Sequence, residues 1–394
     1  MSFIETWREN STYFEMLTAI CKISKLFSDN SIPYIDYRIV ENLFCRYYEA
    51  ENDARLCTAF DARIGAIGIG IKTFILGSKQ KREKVAEFNQ MRAHLNKFEG
   101  IGLARELGRL RNERINFSLR TYNIRESIYH IVGREDQSLC IFNCDYPLIQ
   151  TDQIGAVKTG NAGSISFSDG LHSYNFNNSK SVLMMQFCVP EKSECVVLDT
   201  PILDDPYTLL SLLLKGQTPQ VTASPKKEIK GRDYIILPLY SVKRGIKYIP
   251  EKSGLNQWNA EGRHRDADEI YIPIPLKIHH LYPDFFPSKD QPFTLHLPDG
   301  QDLSAKICQQ GGKALMSNPN KALGKWLLRD ILKLEERKLV TYDVLALYGI
   351  DSVIIRKNTQ QSDSSGNSGL EITYSLQFGA GKYEDYDSFI SDDI

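Results

Sequence analysis

Between residues 4 and 29 the apolar Ile4, Trp7, Met16, Ile20, Ile23 and Phe27 fall at roughly helical spacing and predict a helix. Pro33 interrupts, and residues 36–52 resume the pattern through Ile39, Leu43, Phe44 and Tyr47. The period then changes. Within residues 61–76, Ile67, Ile69 and Ile71 alternate with Gly68, Gly70 and Lys72, which predicts a strand with one apolar face and one almost bare. Residues 79–97, with Val85, Phe88, Arg92 and Leu95 three or four apart, are expected to return to helix. After Gly100 and Gly102 the pattern turns strand-rich, in residues 138–144, 164–176 and 182–189.

A shift follows at residues 200–233, where a short helical DPYTLLSLLLKG runs into the Thr, Pro, Ser and Lys of a flexible connection. Beyond it, DYIILPLYSV, YIPIPLKI, FTLHLP, LSAKIC and DSVIIRK read as short strands of a compact β domain. Residues 358–369 read as a loop, and the acidic end as a frayed tail. The expected division is 1–200, an α/β domain with a mixed sheet flanked by helices; 201–245, connecting elements; 246–377, the β domain; and 378–394, the tail.

A chain of 394 residues exceeds one ordinary domain, in line with that division. Apolar residues make up 42% and charged residues 25%, an ordinary globular balance that argues against gross disorder. No apolar run has the ~18 residues of a membrane span, and MSFIETWREN lacks the basic and apolar regions of a secretion signal. The eight cysteines include no C-x-x-C pair, and Cys140 with Cys144 suits a buried strand better than zinc. The expectation is a reduced, soluble, cytoplasmic protein with no structural metal and no membrane partner. Net charge is −1, but residues 77–120 hold eleven Lys and Arg against five Glu. Such a segment is either the footprint of phosphate contact or a solvated face.

The informative chemistry is Asp61 at a strand start, Lys72 on the strand, and Glu87 beyond it. Carboxylates of this kind hold Mg²⁺ against a scissile phosphate, while a lysine stabilises developing negative charge or orients the attacking water. Asp61 and Glu87 are the expected metal ligands. Gly68 and Gly70 are expected to leave the strand's polar face open to a phosphate backbone. Glu83 and Glu99 rival Glu87, and Asp53 rivals Asp61. Other chemistries fail on spacing: GAIGIGIK is no phosphate-binding P-loop, no G-x-S-x-G occurs, and none of the seven histidines forms H-x-K. The Ser- and Asn-rich stretch 164–187 reads either as a phosphate grip through Tyr174, Asn177, Ser179 and Lys180 or as a plain β-hairpin with a polar loop.

DARIGAIGIGIKTF resembles the core of PD-(D/E)XK restriction endonucleases, in which an Asp precedes an E-x-K on the next strand. Gly70 stands where the first carboxylate of E-x-K belongs. Some members of that superfamily carry this acid on the following helix, so the resemblance implies Glu87 in that role, with Glu41 as a further acid from the earlier helix.

In the second half, GLNQWNAEGRHRDADEIYIPIP (254–275) and SAKICQQGGKALMSNPNKALGKWLLRD (304–330) resemble the B3-like DNA-binding domain of NgoFVII-type restriction endonucleases, over roughly residues 250–355. The resemblance implies a seven-stranded open β-barrel gripping the major groove with an N-arm, Asn256 to Asp268, and a C-arm, Ser317 to Lys325. Candidate contacts in the first arm are Asn256, Gln257, Trp258, Asn259, Arg263, His264 and Arg265, where Arg pairs with guanine and Asn or Gln with adenine. In the second they are Ser317, Asn318, Asn320, Lys321 and Lys325. Trp258 and Trp326 are expected mainly as packing anchors. The NgoFVII-like proteins join this domain to a phospholipase-D nuclease, whose H-x-K is missing here.

Together these readings lead to a type II restriction endonuclease that requires Mg²⁺ and cuts double-stranded DNA at a short specific site. It would act as a homodimer in the bacterial or archaeal cytoplasm, beside a cognate DNA methyltransferase. Two alternatives stand: a sequence-specific DNA-binding protein with an inactive first domain, supported by Gly70, and an endonuclease dependent on methylated DNA.

Overall fold

The computed structural model describes residues 3–53, 56, 58–77, 80–214, 233–361 and 370–379. The chain divides into two compact units, one of residues 1–115 and 124–226, the other of 116–123 and 227–394. Among the described residues no helix is long and apolar enough to cross a membrane.

In the first unit, α1 (Ser11–Lys22) and α2 (Tyr37–Tyr47) start at side-chain caps. Asn10 accepts from the Tyr13 amide at 3.0 Å and Asp36 from the Arg38 amide at 2.9 Å, each satisfying a helix-end donor. The central sheet runs β1 (Glu51–Asn52), β2 (Ala62–Ile64), β3 (Ile67–Ile75), β5 (Glu126–Glu135), β6 (Ser138–Asp145) and β11 (Val196–Asp199). All pairs are antiparallel except β3 with β5. Parallel neighbours need a long crossover, and α3 (Gly100–Thr121) lies between them in the chain. Ile69 and Ile71 pack with Ile128 and Val132 of β5 against Tyr13, Phe14, Leu17, Val40 and Phe44 of α1 and α2. Within that core the neutral His130 ring lies 3.0 Å from the Tyr13 hydroxyl and 2.8 Å from Asn143 Oδ1.

A second sheet, entirely antiparallel, is ordered β4 (Gln80–Glu87), β10 (Val182–Cys188), β9 (Ser173–Asn177), β8 (Ile165–Ser168) and β7 (Lys158–Thr159). Its Phe187 meets Phe74 of β3 and Tyr129 of β5, so one face of this sheet closes the core on the side of β3 away from α1 and α2.

Three expectations are corrected in this unit. Residues 80–87 are a strand, not the start of a helix over 79–97; only a short 3₁₀ turn and Arg92–Leu95 are helical there. Lys81, Glu83 and Val85 are half-buried while Arg82 and Lys84 are exposed, a period of two that pairing with β10 enforces. The stretch after Gly100 holds a helix of 22 residues, α3, with Leu103, Leu107 and Leu110 buried along one side. The polar face of β3 is not open. A Cβ on Gly68 would lie 2.8 Å from the Phe60 ring, and one on Gly70 would lie 2.7 Å from Tyr146 and 2.8 Å from Tyr129.

The second unit is a curled sheet of seven strands: β12 (Tyr234–Pro238), β19 (Ser352–Gln361), β20 (Leu370–Gly379), β16 (Phe293–His296), β17 (Asp302–Cys308), β18 (Ala314–Ser317) and β15 (Ile272–Pro273). Only β16 with β20 is parallel, and a separate antiparallel pair, β13 (Ser241–Lys243) with β14 (Ile246–Tyr248), follows β12 in the chain. The edge strands β12 and β15 approach each other without pairing, which leaves the barrel open along one seam. Leu237, Leu295, Ile307, Val353, Ile355, Leu376 and Phe378 are buried in this unit. β12 lies in the segment read as connection, and β20 carries Phe378 and Gly379, read as the start of the tail, into the sheet. Residues 358–361, read as loop, extend β19. Residues 215–232, 362–369 and 380–394, which held the flexible connection, the rest of that loop and the acidic tail, lie outside the described residues.

Candidate functional site

Asp61 stands one residue before β2 and is bound twice to β3. Its amide donates to the Ile69 carbonyl at 2.9 Å, and its Oδ2 accepts from the Ile71 amide at 2.7 Å. These bonds bring the carboxylate beside Lys72, whose Nζ is 3.8 Å from Oδ2. Both side chains remain about a quarter exposed, at 28% and 26%. From α2, the buried Glu41 joins them. Its carboxyl is pushed up to about 7, first by burial and then by the charge of Asp61, against the attraction of Arg38 and Lys72. Asp61, Lys72 and Glu41 are thus brought together from a strand start, a strand and a helix.

The aromatic rings under β3 explain how the Asp61 segment is held. Tyr146 stacks on Tyr129 at 4.1 Å, and its hydroxyl donates to the Ala59 carbonyl at 2.6 Å, two residues before Asp61. Phe60 packs edge-on to Tyr146 at 5.0 Å and fills the hollow at Gly68. Arg111, buried on α3, donates to the Tyr129 hydroxyl at 3.3 Å and lies over the Tyr146 ring at 5.4 Å. The two glycines give room for the rings that fix residues 59–61. Sequence reasoning missed Phe60, Tyr146 and Arg111 because aromatic and arginine residues so far apart carry no shared spacing.

The remaining acids separate clearly. Asp53 is buried and bonded to Arg63, which also binds Glu51 at 2.7 Å, so this rival of Asp61 is an internal ion pair. Glu87 ends β4, where its exposed carboxylate takes Lys84 at 3.2 Å and the Asn89 amide. Among the described residues it contacts neither Asp61 nor Lys72, and the helix expected to carry it is absent. Glu83 lies on the opposite side of β4, half-buried; burial raises its pKa, and the charges of Lys81, Lys72 and Arg134 oppose that rise. Among the described residues no three His, Cys, Asp or Glu side chains gather as a metal centre.

In the second unit the arms divide into scaffold and free donors. Asn256 is fully buried: it donates to the Pro250 and Val340 carbonyls at 3.0 and 2.9 Å and accepts from the Val340 amide at 2.8 Å. Trp258 is buried, and Gln257 meets Gln309 at 3.3 Å. Asn259 donates to the Glu251 carbonyl at 3.0 Å. Arg265 donates to the carbonyls of Ala260, Glu261 and Arg263 at 2.6, 3.0 and 3.2 Å and so knits its own loop. Arg263 forks onto the buried Glu269 yet stays 55% exposed, and His264 is exposed. In the second arm Ser317 is buried, accepts from the Leu323 amide and donates to the Pro319 carbonyl, both at 2.8 Å. Asn318, Asn320, Lys321 and Lys325 are exposed, and among the described residues no side-chain partner engages them. Trp326 is buried, stacks on Phe378 at 5.8 Å and donates to Asp299 at 2.8 Å.

The two arms are fastened side by side. Arg329 donates to Asp268 Oδ1 at 2.7 Å and to the Ala267 carbonyl at 3.1 Å. Gly324 lies so close that a Cβ there would be 1.8 Å from the Asp268 carbonyl oxygen.

Residues 237–359 match the family model of the NgoFVII C-terminal B3-like DNA-binding domain. No curated protein matches the chain. The match supports the resemblance of the C-terminal part and fits its nearly closed seven-stranded sheet; the Asp61 site lies outside it.

Proposed function

We propose that this chain is a site-specific, Mg²⁺-dependent type II restriction endonuclease, with hydrolysis in the first unit and sequence reading in the second. One observation carries the reading: Asp61, Lys72 and Glu41 converge in a chain whose other unit matches the DNA-binding domain of a restriction enzyme. A carboxylate from a helix, an Asp entering a hairpin and a Lys on its second strand suit the PD-(D/E)XK resemblance.

The residues also suit the ion. Mg²⁺ favours oxygen ligands and is commonly held by one or two carboxylates, waters and the substrate phosphate, so the two acids at this site suffice. Asp61 and Glu41 are oxygen donors that repel one another, an arrangement a divalent cation relieves. When bound, the ion polarises the phosphoryl oxygen and acidifies a water. Asp61, oriented by the Ile71 amide, and Glu41 would hold the ion, and Glu83 is a further candidate acid near Lys72. Lys72 supplies positive charge to the oxygens that gain negative charge. Phe60 and Tyr146 keep the Asp61 segment from drifting.

In the second unit Asn318, Asn320, Lys321 and Lys325 are the free donors for phosphates and base edges, and Arg263 is presented on Glu269. Arg265, Asn256, Trp258 and Ser317 shape the arms. One site per chain implies two copies for a double-strand cut. A cognate methyltransferase belongs to the same reading. A binding protein without cleavage is the second reading, favoured by the rings that occupy the place of an acid at position 70. The test is incubation of the purified protein with plasmid and phage DNA, with Mg²⁺ or with EDTA. Discrete fragments with Mg²⁺ alone support the endonuclease; intact DNA with a specific band shift supports the second reading.

A further inference from the structure

We propose that the outer face of the second sheet in the first unit binds the phosphate backbone of duplex DNA without regard to sequence. The proposal rests on reading the chain as a protein that acts on DNA. Cross-strand register defines the face, because paired residues point the same way. Lys158 pairs with Ser166, Ser166 with Asn175, Asn175 with Met184 and Met184 with Lys84, a continuous row from β7 to β4. Beside it lie Ser168 with Ser173 and Gln186 with Arg82. The alternate residues Ile165, Phe167, Tyr174, Phe176, Leu183, Met185 and Phe187 are buried, so the outer rows are the solvent side.

The composition of those rows is one-sided. They hold Ser, Asn, Gln, one Met and three cations, and the next row of the same face, Asn177 with Val182 and Val182 with Glu87, adds one carboxylate. Lys180 adds a fourth exposed cation in the turn between β9 and β10, and Arg92 a fifth, donating to the Ser179 carbonyl at 2.8 Å. The neighbouring acid Glu87 faces Lys84. Arg82, Lys158 and Lys180 have no acidic partner among the described residues. A merely solvated face mixes signs more evenly; neutral donors with five cations against one acid fit a polyanion. Four strand spacings of about 4.8 Å put Lys84 about 19 Å from Lys158, enough to meet phosphates on both sides of a ~12 Å groove. Tyr174, read as a possible grip, is instead buried, and Asn177 is turned to Ser179 and the Lys180 amide.

The experiment titrates the full chain, in EDTA, with a labelled duplex of arbitrary sequence across about 50–200 mM salt. The slope of log affinity against log salt falls by about 0.9 for each phosphate no longer neutralised by the protein. The triple variant Arg82→Ser, Lys158→Ser, Lys180→Ser should lose about 2–3 from the slope, and a Gln version of the same positions should repeat it. An unchanged slope and affinity, beside a reduced slope for Lys321→Ser with Lys325→Ser, would place the phosphate binding on the arm and overturn this proposal alone. Absence of any binding by the unaltered chain would overturn the DNA reading beneath it.

Discussion

Gly70 defines the candidate site by the side chain it lacks. An acid there would overlap Tyr129 and Tyr146, which stack on each other and, through Ala59, hold the Asp61 segment. Gly70→Glu is therefore predicted to destabilise the first unit by about 1–3 kcal/mol through overpacking and to leave cleavage no faster, as read from urea midpoints and digestion rates. An unchanged midpoint with faster cleavage would show that the rings yield easily. At His130 the consequence is a pH dependence. Burial holds its pKa down to about 4, against an ordinary 6.5, with the Asn143 bond opposing the shift. A depressed pKa stabilises the native state fully above about 6.5, and that contribution is lost as the pH falls toward 4, about 3 kcal/mol in all. His130→Phe, which cannot take up the proton, should show a shallower fall in urea midpoint across that window; equal slopes would contradict the assignment.

At the scale of elements, the arms work only while they lie together. Gly324 lets one arm seat against the Asp268 backbone of the other, and Arg329 ties the contact. Gly324→Ala is expected to push the arms apart, lowering the melting temperature and weakening site-specific binding at least about tenfold, the equivalent of about 1.4 kcal/mol. Melting curves and band shifts check it, and wild-type affinity would show that the arms read independently. The same scale shows what the amino-acid pattern reveals. The I-G-I-G-I alternation is legible as β3 because a strand's period is strict, and Asp61 with Lys72 follows from it. β4 is not, because QKREKVAE is rich in helix-favouring Lys, Glu and Ala, and only pairing with β10 makes it a strand. Read as a helix, that segment brings Glu87 into the site and leaves Glu83 as a mere rival. α3 is hidden behind Gly100, Gly102 and Gly108, although Leu103, Leu107 and Leu110 mark its buried side. In the arms the exposed lysines are legible as a group, whereas only their buried bonds distinguish Asn256 and Ser317 from DNA contacts.

At the scale of the molecule, the second unit supplies a DNA-binding module by family match, and the first supplies two carboxylates and a lysine in one place. The proposed division of labour makes cutting and reading separable: side chains at Asp61 and Lys72 should matter to hydrolysis and not to recognition. The most direct measurement compares the wild-type chain with Lys72→Ala on one DNA, following Mg²⁺-dependent cleavage on a gel and site-specific binding by band shift in EDTA. The prediction is discrete fragments from the wild type, a loss of cleavage of at least about a hundredfold in the variant, in the range typical of removing a charge-stabilising donor, and binding within about threefold of wild type. Undiminished cleavage by Lys72→Ala, or an intact substrate with the wild type itself, would contradict a nuclease built on Asp61, Lys72 and Glu41.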